Sequence, residues 1–392
     1  MTQTLTLSCK LKVTQAQTAK LTATLSAFTQ ALNWVNAHTP AQIANALKLQ
    51  SLCYYEVRAR FGLSSNLAQQ VCRRVAGSRK VAQQKNKPVK EFKKPFVTYD
   101  SARIFSFREK DWTVSLTTVD GRERFELAIG HYQRGKLAGA KPKAATLVQR
   151  RDGAFYLQIC LETETPVTEP QERVIGVDFG RTDIAHTSEG DNWHGQQLNR
   201  VRDHYSKLRA VLQQRASKGT RSSRRRCREL VQRLSGKERR FQTWVNHRIS
   251  KTIVAKATAV NSAIALEDLT GIRERVNPQP RSKPERRRAN SWAFYQLRSF
   301  ISYKALKAGI KVVLVNPRYT SQTCHKCLHI HPDPEQSYRS RKKFKCGHCG
   351  WEGDADFNGA SVIALLGAVV NQPRGEPTAR FANGFVLLSC GA

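Results

Sequence analysis

Two Cys-x-x-Cys pairs, Cys324/Cys327 and Cys346/Cys349, stand 18 residues apart in the stretch from Asn316 to Ile363. That spacing lies in the range for a four-thiolate zinc site. Four thiolates leave no open coordination position, so zinc there holds the fold and does not catalyse. The nearby His325, His329, His331 and His348 are expected at the surface, although one of them could replace a thiolate. Seven residues after the last cysteine comes Asp356, at the start of an apolar helical run. A structural metal clip therefore sits directly before an acid that opens a helix.

Charge narrows the partners. The 392 residues carry 66 Lys+Arg against 30 Asp+Glu, a formal net charge of +36. A polyanion, nucleic acid above all, offsets such self-repulsion. An anionic membrane is the rival surface, but no apolar run is long enough to span a bilayer. The start, MTQTLTLSCKLKV, alternates like a strand and lacks an apolar signal core. The expected location is the cytoplasm, at the nucleoid. The other six cysteines (Cys9, Cys53, Cys72, Cys160, Cys227, Cys390) are scattered, as buried hydrophobes or free thiols are in a reducing compartment.

In chain order, Thr4–Val13 reads as a strand, and Gln15 to about Gln84 as three or four helices, with Leu21, Leu25, Phe28, Leu32 and Val35 at helical spacing. Residues 73–94 hold nine Lys/Arg and one Glu, either a solvated linker face or a helix end facing phosphates. From Pro95 to Thr163 short β-rich segments alternate with hairpin signals at Asp120-Gly121 and Asp152-Gly153. The expectation is a small β barrel that takes in the N-terminal strand and carries the helices as an insert, with Arg134, Lys136, Lys141 and Lys143 in fringing turns. Residues 164–171 read as a linker. Val174–Gly180 is an apolar strand containing Asp178, followed by further strands and by a helical stretch broken near Gly219. Residues 201–250 hold 15 Lys/Arg and three Asp/Glu. Ser262–Leu269 is a strand ending near Glu267, residues 277–290 a Pro-rich basic loop, Trp292–Ile310 a helix stopped by Gly309, and Lys311–Asn316 a strand. After Leu366 the pattern fades, and the last 20 or so residues read as disordered.

Asp178, Glu267 and Asp356 each border an apolar stretch. One such acid is usually a cap or a turn residue. Three in one domain suggest a cluster, whose mutual repulsion calls for bound cations. Magnesium suits such a site, and a pair of ions could hydrolyse a phosphodiester. Asp354 competes with Asp356 and could serve as a cap. Asp268 falls on the opposite strand face from Glu267.

Together, VIGVD178FG, ALE267DL, YTSQTC324HKC327 and C346GHC349G with D356FN358GA resemble TnpB, the transposon-encoded RNA-guided nucleases related to type V CRISPR effectors. The resemblance covers the second half in the family's order. It implies a multidomain α+β and α/β chain: a β-barrel (wedge-like) domain (1–13 and 95–170), a helical recognition domain (14–94), an RNase H-like RuvC nuclease domain (171–318 and 353–370), a zinc-finger insertion (319–352) and a tail (371–392). It implies catalytic, magnesium-binding Asp178, Glu267 and Asp356, zinc on the four cysteines, a guide RNA from the transposon end, and double-stranded target DNA cut beside a short adjacent motif. Arg73, Arg74, Lys87, Arg224, Arg225, Arg226 and Arg228 are the expected nucleic-acid contacts. Leu328, Gly359 and Val362 depart from the family's usual Gly, Ala and Asn. Alternatives are a transposase performing strand transfer and a non-cleaving RNA-guided repressor; the repressor is disfavoured because all three acids are present.

Overall fold

The structure, a computed structural model, describes residues 2–150, 152–168, 171–180, 182–272, 293–333 and 336–371. The chain divides into two compact units that meet in sequence at Glu164/Thr165.

The first unit is an antiparallel sheet with helices. Its strands are β1 (Thr2–Lys12), β2 (Phe96–Tyr99), β3 (Phe105–Arg108), β4 (Thr113–Thr118), β5 (Gly121–Ala128), β6 (Ala144–Gln149) and β7 (Phe155–Glu164), in the order β2-β6-β7-β1-β5-β4-β3. The N-terminal strand thus lies in the middle, between β7 and β5, with Leu7, Cys9 and Leu11 buried and the residues between them exposed. The two outer strands, β2 and β3, are consecutive in the chain, and the Tyr99 hydroxyl donates to the Thr117 carbonyl at 3.2 Å. The sheet is a nearly closed barrel. Helix α1 (Gln15–His38) shares its core through Leu21, Leu25, Phe28, Leu32 and Val35, α2 (Ala46–Phe61) through Leu49 and Val57, and α3 (Ser65–Gln84) through Leu67 and Val71. A short helix, α4 (His131–Leu137), carries Arg134 and Lys136, which the sequence placed in a turn.

One cation of the basic 73–94 segment is internal. Arg79 is fully buried, and its guanidinium donates to the carbonyls of Val35, Asn36, Thr39, Pro40 and Ile43, where α1 ends. The carbonyls of Val35 and Asn36, in the last turn of α1, lack a helical amide donor, and the negative end of the helix favours the cation. Arg79 is a brace for the α1–α2 connection.

The second unit is built on a five-stranded sheet, β10-β9-β8-β11-β12. Strands β8 (Arg173–Asp178), β9 (Asp183–Thr187) and β10 (Asn192–His194) are antiparallel, while β11 (Ser262–Glu267) and β12 (Val312–Val315) continue parallel to β8. Between β10 and β11 run α5 (Gln196–Lys218), α6 (Arg221–Leu234) and α7 (Lys237–Ala259), with a second break at Gly236, whose φ is +78°. Helix α8 (Phe294–Lys307) packs on α7, and Gly309 follows it at φ +71°. A small sheet of β13 (Arg339–Ser340), β14 (Lys343–Lys345) and β15 (Glu352–Asp354) leads into α9 (Ala355–Asn371). That helix runs past Leu366, where the sequence pattern fades, because Gly367 packs on Ala265 and Asn371 bonds back to the Gln171 carbonyl. The 277–290 loop, Cys390 and the tail beyond residue 371 lie outside the described residues.

Candidate functional site

The parallel register of β8 and β11 pairs Val177 with Leu266. The next step along both strands places Asp178 beside Glu267, at the carboxyl ends of neighbouring strands. Helix α9 lies against the same sheet face. A Cβ on Gly176 would stand 2.0 Å from the Ala360 carbonyl oxygen, and one on Gly367 would stand 2.3 Å from the Ala265 Cβ. Only glycine at these positions lets the helix come so close. Asp178 is two residues beyond Gly176 and shares its face. Asp356, in the first turn of α9, therefore belongs to the same end of the sheet, and Gly359 lies where a Cβ would be 3.1 Å from the Asp178 carboxylate. The lack of a side chain at Gly359 leaves room around that carboxylate.

The electrostatics follow from this crowding. Burial, and then the charges of Glu267 and Asp356, push the Asp178 carboxyl up to about 7. Burial also raises Glu267, against a hydrogen bond donated by the Thr320 hydroxyl. Asp356 is held by two cations from the finger hairpin: Arg339 at 2.8 Å and Lys342, which also reaches Asp183 at 2.6 Å. Burial works against the charge of Asp183, but hydrogen bonds from Lys342, His194 and Asn192 outweigh it and hold the carboxyl at about 2. Buried carboxylates backed by a few cations form a donor set that suits a hard divalent ion. Among the described residues no carboxylate group is gathered as tightly as the four thiols.

The neighbouring acids take other duties. Asp354 caps α9, accepting from the Asp356 and Phe357 amides at 2.8 and 3.0 Å. Asp268 turns away to Arg298 at 2.7 Å. No sequence pattern marks Thr320, Arg339, Lys342 or Asp183 as a site residue. Arg339 and Lys342 lie in a run, RSRKK, that reads as solvated charge, and only the hairpin's fold brings them onto Asp356.

The four Sγ atoms of Cys324, Cys327, Cys346 and Cys349 lie within 4.8 Å of one another. Cys324 and Cys349 are 3.7 Å apart, and Cys327 and Cys346 are 3.6 Å apart. A tetrahedron with Zn–S bonds of about 2.3 Å has edges of about 3.8 Å, so the thiols fit zinc. Leu328 and Gly350 close the two knuckles at φ +60° and +73°, a left-handed backbone that glycine adopts without strain. Asn358 joins the two metal regions: its Oδ1 accepts from the His325 amide at 2.9 Å, and its Nδ2 donates to the Thr323 carbonyl at 2.7 Å. His325, expected at the surface, is half-buried and packs edge-on against Trp351.

The remaining expected contacts are basic side chains on helices α3 and α6 or just beyond α3. Arg73 on α3 pairs with Asp100 at 2.8 Å, and Arg74 lies over the Phe96 ring. Lys87 is exposed just past α3. Arg224, Arg225, Arg226 and Arg228 are exposed on α6, with Arg225 paired to Glu229. Among the described residues no helix is long and apolar enough to cross a membrane. Cys9, Cys53, Cys72 and Cys227 are buried thiols, while Cys160 is partly exposed.

Residues 294–363 match the family model described as Cas12f1-like, TNB domain. A TnpB-like protein of Methanocaldococcus jannaschii is 36% identical over 159 residues, covering 41% of this chain and 53% of that one. The CRISPR-associated endodeoxyribonuclease Cas12f1 of Sulfoacidibacillus thermotolerans is 31% identical over 231 residues, 55% of this chain and 51% of its own. The chain thus spans about half the length of these curated relatives. A Cas12f1 chain, solved by cryo-EM with its guide RNA and target DNA, shares the fold at a TM-score of 0.60 and 14% identity, over 88% of this chain and 81% of that one. By sequence and by fold, the chain is a relative of the TnpB-like proteins and the Cas12f effectors.

Proposed function

We propose that the chain is an RNA-guided DNA endonuclease encoded by a transposon, cutting target DNA at a two-metal RuvC-type site beside a short target-adjacent motif. The observation that carries this reading is the meeting of Asp178 and Glu267 at paired strand ends, on the face where α9 presents Asp356. The sheet order, three antiparallel strands continued by two parallel ones, supports an RNase H-like nuclease. The relatives named as endodeoxyribonucleases and the neighbour solved with guide RNA and target DNA point the same way.

Asp178, Glu267 and Asp356 hold magnesium in this reading. A bound pair of such ions would supply Lewis-acid activation of a water and charge stabilisation for the leaving 3′ oxygen. Thr320 orients Glu267, and Arg339 and Lys342 pair with Asp356 and hold it in place. Zinc on the cysteine quartet folds the 319–352 insertion beside Asp356. The barrel segments (1–13 and 95–170) and the helical segment (14–94) grip the guide RNA and the motif-bearing duplex, and the nuclease segments (171–318 and 353–370) cut. Arg73, Arg74, Lys87, Arg224, Arg225, Arg226 and Arg228 contact phosphates, and sequence is read by base pairing with the guide. Binding weakens steeply with salt. The protein works in the cytoplasm, at the nucleoid.

The test is to purify the full chain, sequence the RNA that comes with it, and supply duplexes matched to that RNA. The reading predicts one discrete RNA species and magnesium-dependent cutting of the matched duplex alone. Absence of a discrete RNA, or equal cutting of unmatched DNA, contradicts guidance by RNA.

A further inference from the structure

Helix α7 has two unlike faces. One buries Asn246, Ile249, Ile253 and Ala257 against the sheet and α8. The opposite face carries Lys237, Phe241, Trp244, Arg248 and Lys251, which fall at helical spacing along one line. Trp244 is 51% exposed. Phe241 stacks on it with ring centroids 5.8 Å apart, and the Arg248 guanidinium lies 5.1 Å from its ring centre. The helix's one acid, Glu238, is engaged by Arg209. A large exposed indole, pre-ordered by a second ring and a cation and flanked by lysines, is an unusual surface for a solvated helix. It has the makings of a base-stacking platform: a π face for a base and positive charge for the flanking phosphates.

The position of the platform matters. Helix α7 turns back into β11 through two residues, 260 and 261. Trp244 stands about 22 Å up the helix from Ala259, and β11 rises about 17 Å to Glu267. The platform is thus level with the carboxylate end of the sheet. In agreement, Gln242 and Asn246 line the same small cavity as Gly180, two residues past Asp178.

We infer that Trp244, with Phe241 and Arg248, stacks an unpaired base of single-stranded DNA on the outer face of α7, holding that strand at the level of the carboxylates. The choice of DNA rests on the nuclease reading; the stacking site does not. The charge complements a polyanion, since residues 201–250 carry 15 Lys/Arg and three Asp/Glu.

The test uses the full chain freed of bound nucleic acid, without added magnesium, so that binding is measured separately from cutting. Fluorescence anisotropy follows a labelled 20-mer of thymidines, the same length with abasic sites, and a 20-mer of uridines. Stacking on aromatic side chains is worth about 1–3 kcal/mol per base. Trp244→Ala is therefore expected to weaken the thymidine strand roughly tenfold, with an unchanged salt slope. Trp244→Phe retains most of the binding, and the abasic strand binds wild type and Trp244→Ala alike. Arg248→Gln lowers the salt slope. Wild-type affinity in Trp244→Ala, an equal loss on the abasic strand, or a loss confined to the uridine strand overturns the inference. A variant that loses stacking leaves the RNA-guided reading standing, and a chain that stacks DNA but never cuts leaves the stacking site standing.

Discussion

The cysteine quartet and the carboxylate trio lie side by side, yet they are assembled in opposite ways. The thiols come from 26 consecutive residues, and their sulfurs already stand at tetrahedral spacing. The carboxylates come from β8, β11 and α9, far apart in the chain, and they crowd at a sheet end whose repulsion is offset by Arg339 and Lys342. The first site is local and closed, and it organises its own small fold. The second is made only when a sheet and a helix pack, and two glycines set how closely they do so. A metal whose task is structural can be held by a hairpin, whereas a cluster that must carry excess negative charge needs a rigid scaffold beneath it.

The largest effect should come from breaking the local site. Cys346→Ser, or zinc chelation, is expected to unfold the finger, because metal binding of this kind contributes on the order of 10 kcal/mol to folding. Zinc content and protease cleavage within 319–352 read the loss, while melting of the barrel unit stays unchanged. A finger that resists protease without zinc would mean that Phe344, Tyr338 and Trp351 suffice to hold it.

The scaffold of the second site can be broken without touching an acid. Gly176→Ala puts a methyl group into the α9 backbone and is expected to destabilise this unit by about 3 kcal/mol, read by thermal melting, with cutting lost as α9 lifts away from β8. Normal stability would show that the helix can shift at little cost.

Smaller changes separate the two kinds of site further. Lys342→Met removes a cation that competes with a divalent ion for Asp356. Manganese affinity, followed by its spin resonance, should rise about fivefold. Stability should fall by about 1 kcal/mol, a modest value because the lysine is 41% exposed although Asp183 is buried. Unchanged manganese affinity would mean that Lys342 does not compete. Leu328→Gly relieves a left-handed backbone in the first knuckle and should stabilise the finger by about 1 kcal/mol, read by its resistance to zinc chelation.

The same contrast governs what the sequence reveals. Alternation exposed β1 and most of the barrel strands, and helical spacing exposed α1, because each pattern records burial on one face. Strand β2 escaped notice because FVTY is short and sits beside a Lys-Lys-Pro. Helix α4 escaped because seven residues with a single buried apolar side chain leave no period. Gly236 breaks the basic helices without any apolar phase to interrupt. The cysteine spacing is legible because its ligands are neighbours in sequence. Asp178, Glu267 and Asp356 are legible as acids at the borders of apolar runs. Arg339, Lys342, Asp183 and the internal brace Arg79 are not, because a charge that pairs across the fold looks in sequence like one that faces water.

The central claim is that Asp178, Glu267 and Asp356 act as one catalytic site on DNA chosen by a guide. Its most direct test measures cutting and guide-dependent binding of the same matched duplex by Asp178→Ala, loaded with the copurified RNA. The account predicts that cutting disappears while binding persists at wild-type affinity. Cutting at the wild-type rate would contradict it.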